Sequence, residues 1–448
     1  MTSHIYTLSS ELIDEIIDDL SDPDDIQACS LVCHLFLPRC QYHIFNTFRI
    51  NSVERTNFTG LRETLEMRPI LKTYVRRFKF EISYADTGSR IPQGLYNNAE
   101  FLQLMAILFP VQNLTLELQL CLYSQADWTS FAENLWKPFI APCIATLILK
   151  HFDPFPGDSI LQCPNLTSIS TVETMFKIDG PTLYPPPYLP HLTFLEVGTD
   201  QGFPSITLRD LLKLGDAETE NKNGLALEHL TNFVHPLDDI LEFQLVESVI
   251  QRSAQSLESM TFKVNLDTNR FLFHQTEDSL SFLDNSDFLQ KSTLPSFKHI
   301  KFHVATRLIK SPQNPFSTAA LLLPTFVSIS NLSRISLQIW VPYSYSYSDE
   351  SCKSVWTQAR DDLKPLDEVL FNLHKQLLLE VCVEVQEGMR IDETKEVIDF
   401  VSDIVWNEGC ARYFAKDNFL ESCFPLAIQS EFISQTYSWM IISSSSMC

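Results

Sequence analysis

One pattern recurs along most of this sequence and restricts its fold more than any other. Apolar residues return in the spacing L-x-x-L-x-L at Val75/Phe78/Phe80, Val111/Leu114/Leu116, Ile144/Leu147/Leu149, Leu192/Leu195/Val197, Leu257/Met260/Phe262, Phe297/Ile300/Phe302 and Leu332/Ile335/Leu337. Weaker copies begin at Leu166 and Leu227. The tail of each copy alternates apolar and polar, the period of a strand buried on one face. Several copies share a run-in, seen in residues 163–170 (CPNLTSIS), 189–197 (LPHLTFLEV) and 294–304 (LPSFKHIKFHV). Between copies the spacing turns helical, over 100–109, 127–140, 207–214, 237–252, 316–327 and 366–375. A unit of one strand and one helix cannot bury both by itself, so successive units must stack to make a core.

With copies about 22 to 40 residues apart, this pattern resembles a degenerate leucine-rich repeat. The resemblance implies an irregular α/β solenoid, a horseshoe, over residues 75–416. Residues 377–385 (LLLEVCVEV) read as its last strand and 394–406 as a late helix. The remainder, 417–448, reads as a C-terminal tail that frays at 443–446. Insertions at 182–190, 267–292 and 342–353 are proline-rich or polar and read as loops.

The first fifty residues obey a different period. Leu12, Ile13, Ile16, Ile17 and Leu20 occupy two adjacent helical rows, with Glu11, Asp14, Glu15, Asp18 and Asp19 on the other side. Ser9 suits an N-cap, and Glu11 meets the positive end of the helix dipole. Asp22-Pro23-Asp24-Asp25 closes that helix and opens a second, which carries Ile26, Cys29, Leu31, Val32, Cys33 and Phe36. Pro38 opens a third, with Tyr42, Ile44, Phe45 and Phe48. Three short helices cannot close a core alone, so leftover apolar surface must meet the rest of the chain or another protein. Residues 51–74 read as a connecting segment with a short helix around Leu61, Leu65 and Met67.

Leu8, Glu11-Leu12, Glu15-Ile16-Ile17, Leu20, Asp24-Asp25-Ile26, Cys29-Ser30-Leu31-Val32-Cys33-His34 and Arg39 resemble the F-box, especially its fungal form. Ser9 stands where that family usually has proline, and Phe36 and Phe45 where tryptophan is common. Each keeps a helix start or a large apolar anchor. The resemblance implies that residues 1–50 are a trihelical module docking on the Skp-type adaptor of a cullin–RING ubiquitin ligase, through Leu8, Leu12, Ile16, Ile17, Leu20, Val32, Phe36 and Phe45. It further implies a non-catalytic substrate-recognition subunit, with the repeats holding an unidentified target protein. A scaffold outside any ligase, using the same trihelix for a different partner, is the alternative.

Composition narrows the remaining classes. The net charge of −23 argues against partners that present phosphate, so neither nucleic acid nor membrane is expected. Within residues 61–90 seven bases face four acids, which reads as a solvated face beside the acidic first module. Only 11 glycines are present, and neither GxGxxG nor GxxxxGK[ST] occurs, so no nucleotide cofactor is expected. The start MTSHIYTLSS lacks a basic region followed by an apolar core, and 11 cysteines without regular spacing suit a reducing compartment, cytoplasmic or nuclear. Cys29, Cys33, Cys40 and His43 lie close in sequence without the C-x₂-C spacing of structural zinc, so they read as small buried groups and no metal is expected. His299 and His303 share one face of a predicted strand, most simply as a structural pair. Asn57, Asn113, Asn165 and Asn331 precede x-Ser/Thr and read as turn residues.

Overall fold

The Ser9 hydroxyl accepts the Leu12 amide at 3.4 Å, and α1 (Ser10–Asp18) follows with Glu11 in its first turn. The Asp22 carboxylate accepts the Asp24 amide at 2.8 Å and starts α2 (Pro23–Val32), where Pro23 needs no amide partner. α3 (Leu37–Asn46) starts with Pro38 in its first turn. Ile13, Ile17, Ile26 and Cys40 form the buried centre of the three helices, and Leu20, Cys29 and Phe36 pack against it. The structure, a computed structural model, describes residues 8–20, 22–51, 57–83, 98–109, 113–121, 128–152, 154–177, 190–198, 204–213, 225–236, 240–264, 293–305, 315–342, 361, 363–372, 377–386 and 433–442. Within it the chain divides into two compact units, Met1–Ala226 and Leu227–Cys448.

In the first unit no linker separates the helices from the strands. β1 (Thr47–Asn51) leaves α3 directly and pairs in parallel with β2 (Arg77–Ser83) over five residues. Phe48, expected on the third helix, therefore lies in a strand, its ring 5.0 Å from that of Phe78. The physical reason is local: Thr-Phe-Arg-Ile-Asn alternates with period two and is rich in β-branched and aromatic residues. The expected connecting helix is present as α4 (Phe58–Met67), capped by Asn57, whose side chain accepts the Gly60 amide at 3.0 Å.

From β2 the sheet of this unit grows strand by strand through β3 (Leu114–Cys121), β4 (Ile144–Lys150), β6 (Ser168–Val172) and β8 (Phe194–Gly198), every pair parallel. The short strands β5 (Phe155–Pro156) and β7 (Phe176–Lys177) pair only with each other. α5 (Ala99–Leu108), a helix over Trp128–Phe131 that widens into a π-helical stretch over Ala132–Ile140, and a helix over Pro204–Lys213 also belong to this unit. Pro138, inside the π-helical stretch, has no amide to donate, and Ala141 N–H reaches back to Trp136 at 2.9 Å.

Register tests the repeat directly. Phe78, Leu116, Leu147, Ile169 and Leu195 stand opposite one another along the ladder, each at most 1% exposed. The second copy differs from its expected alignment, because Phe78 pairs with Leu116 and Phe80 with Leu118, not with Leu114 and Leu116. A slip of two residues keeps the same face buried, so the pattern alone cannot distinguish the two registers. The recurrent run-in also acquires a physical role. Asn165 Nδ2 donates to the Pro142 carbonyl at 2.7 Å, and Thr193 Oγ1 to that of Thr167 at 3.2 Å, tying each copy to the one before.

The second unit repeats the scheme. β9 (Asn232–Pro236), β10 (Ser259–Val264), β11 (His299–Ala305), β12 (Arg334–Pro342), β13 (Leu377–Gln386) and β14 (Ile433–Ile442) run parallel in sequence order. Helices over Ile240–Arg252, Pro315–Ile329 and 363–372 lie between them in sequence. Phe233, Met260, Ile300, Ile335 and Leu379 form the aligned buried row, and Asn331 Nδ2 donates to the Pro295 carbonyl at 3.0 Å. The fold is α/β with parallel strands. Residues 377–385 are not the last strand: β14 pairs with the whole of β13, from a stretch read as tail. Its sequence, ISQTYSWMII, alternates, but Ser, Gln and Thr dilute the apolar signal. Residues 182–189, 267–292, 343–353, 394–406 and 443–446, read above as loops, a late helix and a frayed end, lie outside the described residues.

Candidate functional site

The rows of α1 separate by burial. Ile13 and Ile17 turn into the trihelix, while Leu12 and Ile16, four apart, face outward at 48% and 54% exposed, and Leu8, ahead of the Ser9 cap, is exposed as well. A second exposed group closes α2, with Leu31 at 88% and Val32 at 67%, followed by Leu35. Ile44 on α3 is also exposed. These are large apolar side chains that the module's own core does not bury.

The eight residues expected at a docking surface therefore divide. Leu8, Leu12, Ile16 and Val32 are exposed, whereas Ile17 is 1% exposed and serves the trihelix itself. Leu20 and Phe36 pack against that core, and Phe45 is half-buried on α3. Sequence reasoning missed Leu31, Leu35 and Ile44 as outward-facing groups. Leu31 was detectable, because helical geometry puts it roughly 140° to 160° around α2 from Ile26 and Cys29.

A polar clasp fixes the row in place. Arg39 Nε donates to Asp18 Oδ1 at 2.5 Å, and His43 Nε2 lies 2.7 Å from the same oxygen, joining α1 to α3. The Arg39 bond, then the His43 bond, hold the Asp18 carboxyl down at about 2. The Arg39 guanidinium also stands 4.8 Å over the Tyr42 ring, and Tyr42 meets Tyr74 edge-on at 6.0 Å. His43 is thus engaged with Asp18, and Cys40 lies in the apolar core, so these two groups serve the trihelix's own packing.

Each unit also carries a polar row on the face of its strands opposite the apolar ladder. In the first, Glu117 on β3 is buried and ringed by Arg77, Lys79 at 3.5 Å and Lys150 at 3.0 Å. Burial pushes its carboxyl up, but the Lys150 bond and the charges of Lys150, Arg77 and Lys79 outweigh this and hold it below its usual range. Glu81 on β2 meets Arg49 Nε at 2.7 Å and Lys79 at 2.9 Å. In the second unit, Ser336 Oγ donates to Glu380 Oε2 at 2.8 Å, and Arg334 Nε donates to the same oxygen at 2.7 Å. His299 Nε2 lies 2.8 Å from Ser336 Oγ. With the hydroxyl proton on the Glu380 side, this imidazole nitrogen is the donor, the reverse of what a serine nucleophile requires. Burial, then the Arg334 charge, lowers the His299 pKa. His303 shares the face of His299, four residues further along β11.

The chain matches no known protein family and no curated protein. Among the described residues no helix is long and apolar enough to cross a membrane.

Proposed function

We propose that this chain is a substrate-recognition subunit of an SCF-type ubiquitin ligase. The observation that carries the reading is the outer row of α1. Leu12 and Ile16 on the helix, with Leu8 just ahead of its cap, stay exposed on a trihelix whose own core is already filled by Ile13, Ile17, Ile26 and Cys40. The F-box resemblance of residues 8–39 gives that surplus surface an occupant, the Skp-type adaptor. Completing the burial of each half-exposed aliphatic side chain contributes about 1 kcal/mol, so a few such anchors sustain a specific contact.

In this reading the parallel strand ladder is a leucine-rich-repeat-like solenoid, and its polar strand faces hold the target. The chain performs no chemistry. It raises the effective concentration of a target lysine at the charged E2. It would act in the cytoplasm or nucleus, where the ligase partners reside. The direct test is co-purification of the intact chain with the adaptor, with the proteasome inhibited so that captured targets survive. Recovery of adaptor and cullin is the expected result. A folded chain that captures neither would leave the trihelix serving a scaffold of another kind.

A further inference from the structure

We propose that the polar face of β1 to β4 binds an extended, carboxylate-rich peptide segment of a target protein. The first observation is a reversal of sign. The chain carries a net charge of −23, yet this face presents Arg49, Arg77, Lys79 and Lys150 against Glu81 and Glu117, four cations less two carboxylates, or +2. Ladder register puts these residues on one surface: Arg49 stands opposite Lys79, Lys79 opposite Glu117, and Gln119 opposite both Glu81 and Lys150.

The second observation is the depth of each charge. The Glu117 and Glu81 side chains are only 2% and 12% exposed, while those of Arg77 and Arg49 are 43% and 62% exposed. The acids are sunk beneath the cations, so the charge that reaches solvent is positive. Each cation is also held by a carboxylate below it, which fixes its head group before any ligand arrives and lowers the ordering cost of binding. The patch is bounded, because two strands beyond β4 the same face carries Glu196, which accepts the Ser170 hydroxyl at 2.7 Å.

The spacing selects the kind of anion. A phosphate group calls for several donors converging on one point. Here the point on which Arg77, Lys79 and Lys150 converge is already filled by the Glu117 carboxylate, and Arg49 stands apart on β1, so a ligand meets separate charges on three strands, β1, β2 and β4. Separate charges on neighbouring strands suit an extended chain that offers several carboxylates more than one compact anion. The target role rests on the receptor reading above; peptide binding itself needs only this chain.

The experiment uses the purified full-length chain and fluorescent peptides in which glutamate alternates with serine, glutamine replacing glutamate in the control, read by anisotropy at low and physiological ionic strength. The glutamate peptide should bind, weaken with salt, and lose roughly threefold in affinity with Arg49→Gln and again with Lys150→Gln. Glu81→Gln should tighten binding, because the amide oxygen can still accept from Arg49 and Lys79 and hold them in place while the competing negative charge is gone; damage to the sheet could only weaken it. Thermal melts of each variant verify folding. Equal binding of the glutamine peptide, weaker binding by folded Glu81→Gln, or capture only of a phosphoserine peptide or of single-stranded DNA would overturn the proposal. These results are independent of whether the adaptor is captured.

Discussion

In the strand ladder of the first unit, Phe78, Leu116, Leu147, Ile169 and Leu195 each find the next copy's side chain beside them and disappear from solvent. Helix α1 has the same density of aliphatic residues but a different outcome. Ile13 and Ile17 are buried, while Leu12 and Ile16, one position before each, remain about half exposed. A stacked ladder supplies a partner for every apolar position because each strand has a neighbour of the same pattern. A trihelix has one interior and supplies partners for one stripe only. The difference separates residues that specify the fold from residues left available for association, although both look alike in a hydropathy trace.

The two regions are nevertheless joined, and cutting that join should have the largest effect. Removing residues 1–51 takes away β1 and opens the edge of β2, whose inward rings are Phe78 and Phe80. An exposed strand edge beside aromatic side chains promotes aggregation. The expected result is loss of monodisperse, cooperatively melting protein by size-exclusion chromatography and calorimetry. A shortened chain that melts like the full one would mean that the helices are an appendage.

Point substitutions sharpen the same contrast. Leu147→Ala should cost about 2–5 kcal/mol through the cavity it leaves, whereas Leu12→Ala should change stability by less than about 0.5 kcal/mol. Denaturant melts of both proteins measure the gap, and equal losses would erase the distinction. One ladder position is already imperfect. His235 stands in register with Phe262 and is fully buried, and burial pushes its pKa down to about 4. The unfolded chain takes up that proton first, so stability should fall as pH drops from about 6.5 toward 4 and then level off for this group, by roughly 3 kcal/mol in all. His235→Phe should remove that slope, and an unchanged pH profile of the melting temperature would contradict the assignment.

The smallest effect concerns the clasp. Asp18 has a lowered pKa, so its contribution is complete above the ordinary carboxylate range and disappears as pH falls through about 2. Asp18→Asn at neutral pH should speed hydrogen exchange of α1 amides while leaving β3 and β4 protected. Unchanged exchange in α1 would show that apolar packing alone holds the helix.

How far the sequence carried these conclusions depends on the range of the interaction. Ser9 and Asp22 set the first two helix starts through bonds spanning three and two residues, and Pro38 lies in the first turn of the third, which has no side-chain cap. Nine apolar copies foretold strands because period two is written locally, and each lies in a strand or runs into one. The alignment of the second copy was not legible, since a two-residue slip preserves the pattern. Neither was β14, whose polar residues conceal its alternation. The Asp18 clasp joins groups 21 and 25 residues apart, and the Arg77–Glu117 pair groups 40 apart. Composition gave the sign of the whole chain and hid the opposite sign of one face. The outer row of α1 was half legible: periodicity named both stripes, and only packing decided which one faces inward.

The most direct measurement takes Leu12→Asp, Ile16→Asp and Ile17→Asp in the intact chain and reads adaptor capture beside the melting temperature. Leu12→Asp and Ile16→Asp should keep the wild-type melt and lose the adaptor, since a carboxylate in a dry contact costs several kcal/mol. Ile17→Asp should lower the melt, because its side chain lies in the trihelix core. Folded Leu12→Asp and Ile16→Asp proteins that bind the adaptor at wild-type levels would contradict the account and move the docking surface elsewhere.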